Sequence, residues 1–125
     1  MARTYDAPTK NGWIAVDLDG TLAEYESFKG ADVIGKPIPL MVERIRRWLA
    51  DGYEVRIFTA RVSEPNPVMR ERCHQAIYDY TKEHIGVGLK ATNIKDYAMI
   101  EQWDDRAIQV IPNTGVQVGN QSRLV

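Results

Sequence analysis

Cysteine is nearly missing from this chain. Cys73 stands alone among 125 residues, which excludes an internal disulfide framework and a cysteine-built zinc site and fits a reducing compartment. Long apolar runs are missing as well. No stretch approaches the roughly 18 residues that a membrane-spanning helix needs, and the polar segment from Met1 to Asn11 lacks the apolar core of a signal peptide. Net charge is close to nil, at -1, and no basic stripe runs along the chain, so any attraction for a polyanion has to be local. There is no internal repeat, low-complexity tract or linker. The expectation is a cytoplasmic protein with a single domain over residues 1–125, long enough to bury roughly two thirds of its unfolded surface.

Against this background one stretch stands out. Trp13-Ile14-Ala15-Val16 is apolar and ends abruptly in Asp17-Leu18-Asp19-Gly20-Thr21. A short run rich in β-branched and aromatic residues before a glycine reads as a buried strand opening into a loop. In open α/β sheets that end of the strand is where ligands bind. Two carboxylates held so close are costly unless a positive group, most simply a divalent cation, shares them.

The rest of the chain alternates in the manner of an α/β sheet with parallel strands. Ala23 to Pro39 carries Gly30, Gly35, Pro37 and Pro39 and predicts a loop or hairpin flap. Met41, Val42, Ile45, Trp48 and Leu49 recur at helical spacing up to Gly52, which reads as the stop of a helix over 39–51. Glu54 to Thr59 alternates polar and apolar, a second strand, ending in Thr59-Ala60-Arg61. Asn66-Pro67 supplies an N-cap and a first-turn proline for a longer helix to about His84, with Val68, Cys73, Ala76, Ile77 and Tyr80 as its buried stripe. Further strands are expected at Leu89–Ile94, at Met99–Trp103 (with a helical turn as the alternative), at Ile108–Ile111 and, past a Pro112–Gly115 turn, at Val116–Val118.

Phosphoryl transfer through an aspartyl intermediate uses the polar groups at these strand ends together. Asp17 can attack phosphorus, dividing hydrolysis into formation and breakdown of an acyl phosphate. Asp19 can protonate the leaving oxygen and then activate water. The hydroxyl of Thr59 and a lysine, Lys95 or Lys90, can hold phosphoryl oxygens, while magnesium between Asp17 and Asp104 offsets carboxylate–phosphate repulsion. Each feature alone has an ordinary reading: Asp-x-Asp as a turn, Thr59 as a strand end, Asp104-Asp105 as a solvated turn paired with Arg106, the lysines as surface groups.

In combination, the chain resembles the haloacid dehalogenase (HAD) superfamily of phosphohydrolases over about residues 13–115. Asp17-Leu18-Asp19-Gly20-Thr21 matches the first motif of that family, Thr59 the second, Lys95 best fits the lysine of the third, and Asp104-Asp105 matches the acidic pair of the fourth. The resemblance implies a Rossmann-like three-layer sandwich around a mainly parallel sheet, and a Mg2+-dependent phosphatase. Asp17 is then the nucleophile and Asp19 the general acid/base, with Thr59 and Lys95 on the phosphate. It also implies that Gly20, Thr21, Ala60 and Arg61 lie against the phosphate. The metal would be held by the Asp17 carboxylate, the Asp19 backbone carbonyl and the acidic pair, with Asp104 the direct ligand and Asp105 acting through water or orienting Lys95. Family members that release halide lack the second aspartate, so Asp19 argues for phosphate chemistry. Receiver domains place their acidic pair near the first strand, whereas here it comes late.

The intervals between motifs leave no room for a cap domain, so the expected site is open. It would be closed by another subunit or by the bulk of its substrate, with Tyr25, Phe28 and Lys29 of the flap near that substrate. The favoured expectation is a small phosphorylated metabolite. Asp104-Asp105-Arg106 also resembles the phosphatase half of polynucleotide kinase-phosphatases, which keeps a nucleotide or nucleic-acid 3'-phosphate as the alternative. A non-catalytic binding module with the same fold is the third reading. No membrane partner is expected.

Overall fold

The computed structural model describes residues 5–124; Met1 to Thr4 and Val125, the extremities of the polar N-terminal segment and of the tail, lie outside the described residues. The chain folds as α/β, with strands β1 (Trp13–Val16), β2 (Glu54–Phe58), β3 (Ala91–Thr92) and β4 (Met99–Trp103) and helices α1 (Pro39–Ala50) and α2 (Pro67–His84). All pairings are parallel, in the order β3-β2-β1-β4. Trp13 aligns with Glu54 on one side and Met99 on the other, and a bulge then sets Ile14 opposite Glu101.

The helices start and stop where local chemistry dictates. Pro39 opens α1, and Gly52, at φ 92°, lies just beyond its end, its N–H bonded to the Leu49 carbonyl at 3.1 Å. Asn66 caps α2 by accepting from the N–H groups of Val68 (3.0 Å) and Met69 (3.1 Å). The chain leaves α2 through Gly86 at φ 113°. Of the expected α2 stripe, Cys73, Ile77 and Tyr80 are buried and Ala76 half-buried, but Val68 is 70% exposed. The first turn of α2, Pro67 to Met69, is exposed, and Thr81 takes a core place instead. Its hydroxyl is satisfied by the Ile77 carbonyl and by the N–H of Leu89.

From β1 to β2 to β3 the chain steps in one direction across the sheet. Right-handed crossovers therefore put both helices on the same face. The core follows that parity: Ile14, Val16, Val55 and Ile57 pack with Met41, Val42 and Ile45 of α1 and with Cys73, Ile77 and Tyr80 of α2. Each aliphatic side chain so buried contributes about 1.5–3 kcal/mol. Trp13, Ala15, Arg56 and Phe58 have the opposite parity. Across that side the Arg56 guanidinium lies 4.5 Å from the centre of the Trp13 ring, and Trp13 Nε1 donates to Asp96 Oδ1 at 2.9 Å. Asp96 belongs to segment 93–98, which returns from β3 to β4 and is too short to carry a helix. Among the described residues no helix forms a second layer there.

Met99–Trp103 is a strand rather than a helical turn, and the strand expected over Leu89–Ile94 is reduced to Ala91–Thr92. The strands expected at Ile108–Ile111 and Val116–Val118 do not form. In their place is a turn with one antiparallel bridge, Val110 to Gln117, with Asn113 at φ 67°. The apolar side chains there are exposed and have no third strand to pair with, and an isolated hairpin lacks the burial to extend itself. Ala23 to Pro39 is a flap pinched at its base, where Ala23 bridges Pro37 and the Glu24 N–H reaches the Lys36 carbonyl at 2.9 Å. No helix among the described residues is long and apolar enough to cross a membrane.

Candidate active site

The Asp17 N–H donates to the Trp103 carbonyl at 2.9 Å, continuing the β1–β4 ladder one residue past β1. That bond sets Asp17 beside the point where Asp104 and Asp105 leave β4. The chain then turns tightly around the Leu18 carbonyl, which accepts from Thr21, Leu22 and Ala23 at 3.2, 3.0 and 2.9 Å. Gly20 sits at φ 88°, and a Cβ on it would stand 2.5 Å from a carboxylate oxygen of Asp105. Only glycine allows that approach. Thr21 completes the join: its hydroxyl accepts from the Asp105 N–H at 3.1 Å and donates to Asp105 Oδ1 at 3.3 Å. Asp104 Oδ1 accepts from the Arg106 N–H at 2.7 Å, which fixes the acidic turn from its other side.

As a result, one oxygen from each of Asp17, Asp104 and Asp105 lies within 4.8 Å of the others. Burial, and then the charge of Asp104 and the contact with Asp105, push the Asp17 carboxyl up to about 7. A cluster of hard oxygen donors suits Mg2+. Among the described residues no hydrogen bond is donated to the Asp19 carbonyl, so the backbone donor that the family resemblance implies is not consumed elsewhere. The donor set fits the ion. A cation entering here displaces the Asp17 proton below about pH 7, so apparent Mg2+ affinity is expected to fall by up to about tenfold per pH unit there and to level off above it. Calorimetric titration across that range checks this; an affinity flat from about pH 5.5 to 8 would contradict the assignment of Asp17 as a ligand.

Asp19 is held differently. Arg61 grips its carboxylate with both prongs, Nε to Oδ2 at 2.8 Å and Nη2 to Oδ1 at 2.9 Å. The Arg61 side chain is only 4% exposed. The single 3₁₀ turn Ala60–Ser63 aims it inward, and Thr59 caps that turn by accepting from the Arg61 N–H at 3.1 Å. The Thr59 hydroxyl uses its oxygen in this bond and keeps its proton to donate.

Asp17, Asp19, Thr59, Ala60, Arg61, Asp104 and Asp105 all line one cleft of about 730 Å³, within the range of small-molecule sites. Tyr25 and Phe28 of the flap reach it as well. Gly20 and Thr21 shape the acidic turn and do not line the cleft. Lys90 and Lys95 are exposed, and neither lines it. The cleft instead contains Arg106, a cation without an ion-pair partner among the described residues. Its sequence signal was adjacency to the acidic pair. Asn93, Ser63 and Glu64 also line the cleft and carried no signal of their own.

No family model matches this chain, and no match emerged among curated proteins or solved structures.

Proposed function

We propose that the protein is a Mg2+-dependent phosphomonoesterase with a reduced core of the HAD type, acting through an aspartyl phosphate on a small phosphorylated metabolite. One observation carries this reading: the carboxylates of Asp17, Asp104 and Asp105 converge at the ends of two adjacent parallel strands, in the same cleft as Asp19 and Thr59. The order of these groups along the chain and their strand-end positions support it further. The HAD sandwich has a further helical layer, and here the short 93–98 segment takes that place.

In this reading an Asp17 carboxylate oxygen attacks phosphorus, the bond to the ester oxygen breaks, and Asp19 delivers a proton to that oxygen. Asp19 then takes a proton from water, whose oxygen attacks the same phosphorus and releases phosphate from Asp17. The Thr59 hydroxyl and the Arg106 guanidinium bind the non-bridging oxygens. Asp17, Asp104, Asp105 and the Asp19 carbonyl would hold Mg2+, whose positive charge would offset repulsion between carboxylate and phosphate.

The lining of the cleft favours a small ester over a nucleic-acid end. Among the described residues that line it, Asp17, Asp19, Glu64, Asp104 and Asp105 are set against Arg61 and Arg106 alone, a charge balance that repels flanking phosphodiesters. Assaying a panel of phosphorylated metabolites beside 3'-phosphorylated oligonucleotides, with Mg2+ and after exhaustive chelation, tests the proposal. Metal-dependent release of phosphate from small esters is expected, restored when Mg2+ is returned. Activity unaffected by chelation would remove the metal from the reading, and a large preference for oligonucleotides would reassign the substrate.

A further inference from the structure

Arg61 does more than pair with Asp19. Its Nη1 donates to the Gly30 carbonyl at 3.2 Å and its Nη2 to the Val33 carbonyl at 2.9 Å. Four of the five guanidinium N–H groups are thus committed, two to the Asp19 carboxylate and two to the backbone of the flap. The Phe28 ring of the same flap lies over the guanidinium, 5.1 Å from its carbon. The flap is also anchored near its base by Tyr80 Oη on the Gly35 carbonyl at 2.8 Å and, between Gly30 and Val33, by the exposed pair of Arg72 and Asp32 at 2.8 Å. Among the described residues, only Arg61 connects the flap to a carboxylate of the cleft. A planar fork with fixed donor directions makes that connection geometric: where the flap carbonyls go, the two Asp19 oxygens follow.

We infer that Arg61 is a positioning residue that makes Asp19 and the substrate-facing flap one mechanical unit, so that whatever seats against Tyr25 and Phe28 also sets the orientation of the proton-transferring carboxylate. This rests on the phosphatase reading for its kinetic half and on geometry alone for its other half. Coupling of this kind is reciprocal. Loss of Arg61 misaligns Asp19, and loss of the Asp19 carboxylate loosens the flap, although Asp19 reaches the flap carbonyls through Arg61.

The test combines kinetics with hydrogen exchange on the full chain. Arg61→Gln is expected to slow the first step, release of the leaving group in a single turnover, about 10- to 100-fold on an alkyl phosphate, whose leaving oxygen needs a proton, but less than about threefold on 4-nitrophenyl phosphate. Arg61→Lys, which keeps the charge and loses the fork, is expected to restore little of the alkyl-phosphate rate. Exchange over residues 24–36 is expected to quicken in Arg61→Gln and also in Asp19→Ala, and to stay at the wild-type rate in Asp104→Asn. Equal losses in that first step on the two esters, or an unchanged flap in Asp19→Ala, would overturn the inference. A wild-type protein that hydrolyses no ester with Mg2+ present would overturn the phosphatase reading, while the exchange measurements would still decide whether Arg61 couples Asp19 to the flap.

Discussion

Asp17→Asn is expected to lower turnover of an aryl phosphate by at least about 10⁴-fold while leaving the fold intact. The amide occupies nearly the same volume, but it is no nucleophile and offers the cation a weaker oxygen. Structure should survive because the native fold draws no support from the charge at this position. Burial and the neighbouring carboxylates raise the Asp17 pKa from 3.8 to about 7, so the stability linked to this group is complete below its unfolded value and is lost as pH rises through about 7. Asparagine removes that loss. In the absence of metal, Asp17→Asn should therefore melt at or above the wild-type temperature at about pH 8 and close to it at about pH 3, below the unfolded value. Circular dichroism and thermal melts check the fold, and phosphate release checks the chemistry. Wild-type turnover in this variant would rule out the aspartyl route.

Asp19→Asn is expected to cost about 10²- to 10⁴-fold in kcat on an alkyl phosphate and markedly less on 4-nitrophenyl phosphate. The asparagine side chain can still accept from Arg61, so the geometry of the flap and of the cleft changes little. What it cannot do is carry a proton to the ester oxygen or take one from water. A good leaving group departs as an anion and makes the first of these dispensable, which is why the two esters separate the role. The second is not dispensable, so release of phosphate from Asp17 becomes the slow step, and a burst of leaving group ahead of steady turnover is expected. Rapid-quench kinetics on both esters reads this. Equal losses with no burst would place Asp19 in substrate binding and not in proton transfer.

Much of this arrangement was legible before any coordinates, for identifiable reasons. The run Trp13–Val16 and the alternation at Glu54–Phe58 each carry strand periodicity into a polar stop, and both are strands with cleft residues at their ends. Asn66-Pro67 and Gly52 mark helix boundaries through backbone chemistry that operates within a few residues. The departures arise where a partner distant in sequence decides. Ile108–Ile111 has the composition of a strand but no neighbour to complete a sheet. Val68 has the spacing of a buried residue but lies in the exposed first turn of α2.

The roles expected of Gly20 and Thr21 illustrate the same limit. Nothing local reveals that Asp105, 84 residues beyond Thr21, comes to rest on its hydroxyl, or that the space over Gly20 is filled by the same carboxylate. Arg61 was legible as a residue of the cleft, yet its partners Asp19, Gly30 and Val33 depend on how the flap folds back. Lys90 and Lys95 carry only a signal of order along the chain. Because 93–98 has no helix, that order does not bring Lys90 or Lys95 to line the cleft.

The central claim is that a phosphoryl group passes through Asp17. Acid quenching of the wild-type protein during turnover with Mg2+, followed by proteolysis and mass measurement under conditions that preserve acyl phosphates, addresses it directly. The account predicts one phosphoryl group on the peptide that contains Asp17, accumulating further in Asp19→Asn and absent from Asp17→Asn. Steady phosphate release with that peptide unmodified in both the wild type and Asp19→Asn would contradict it.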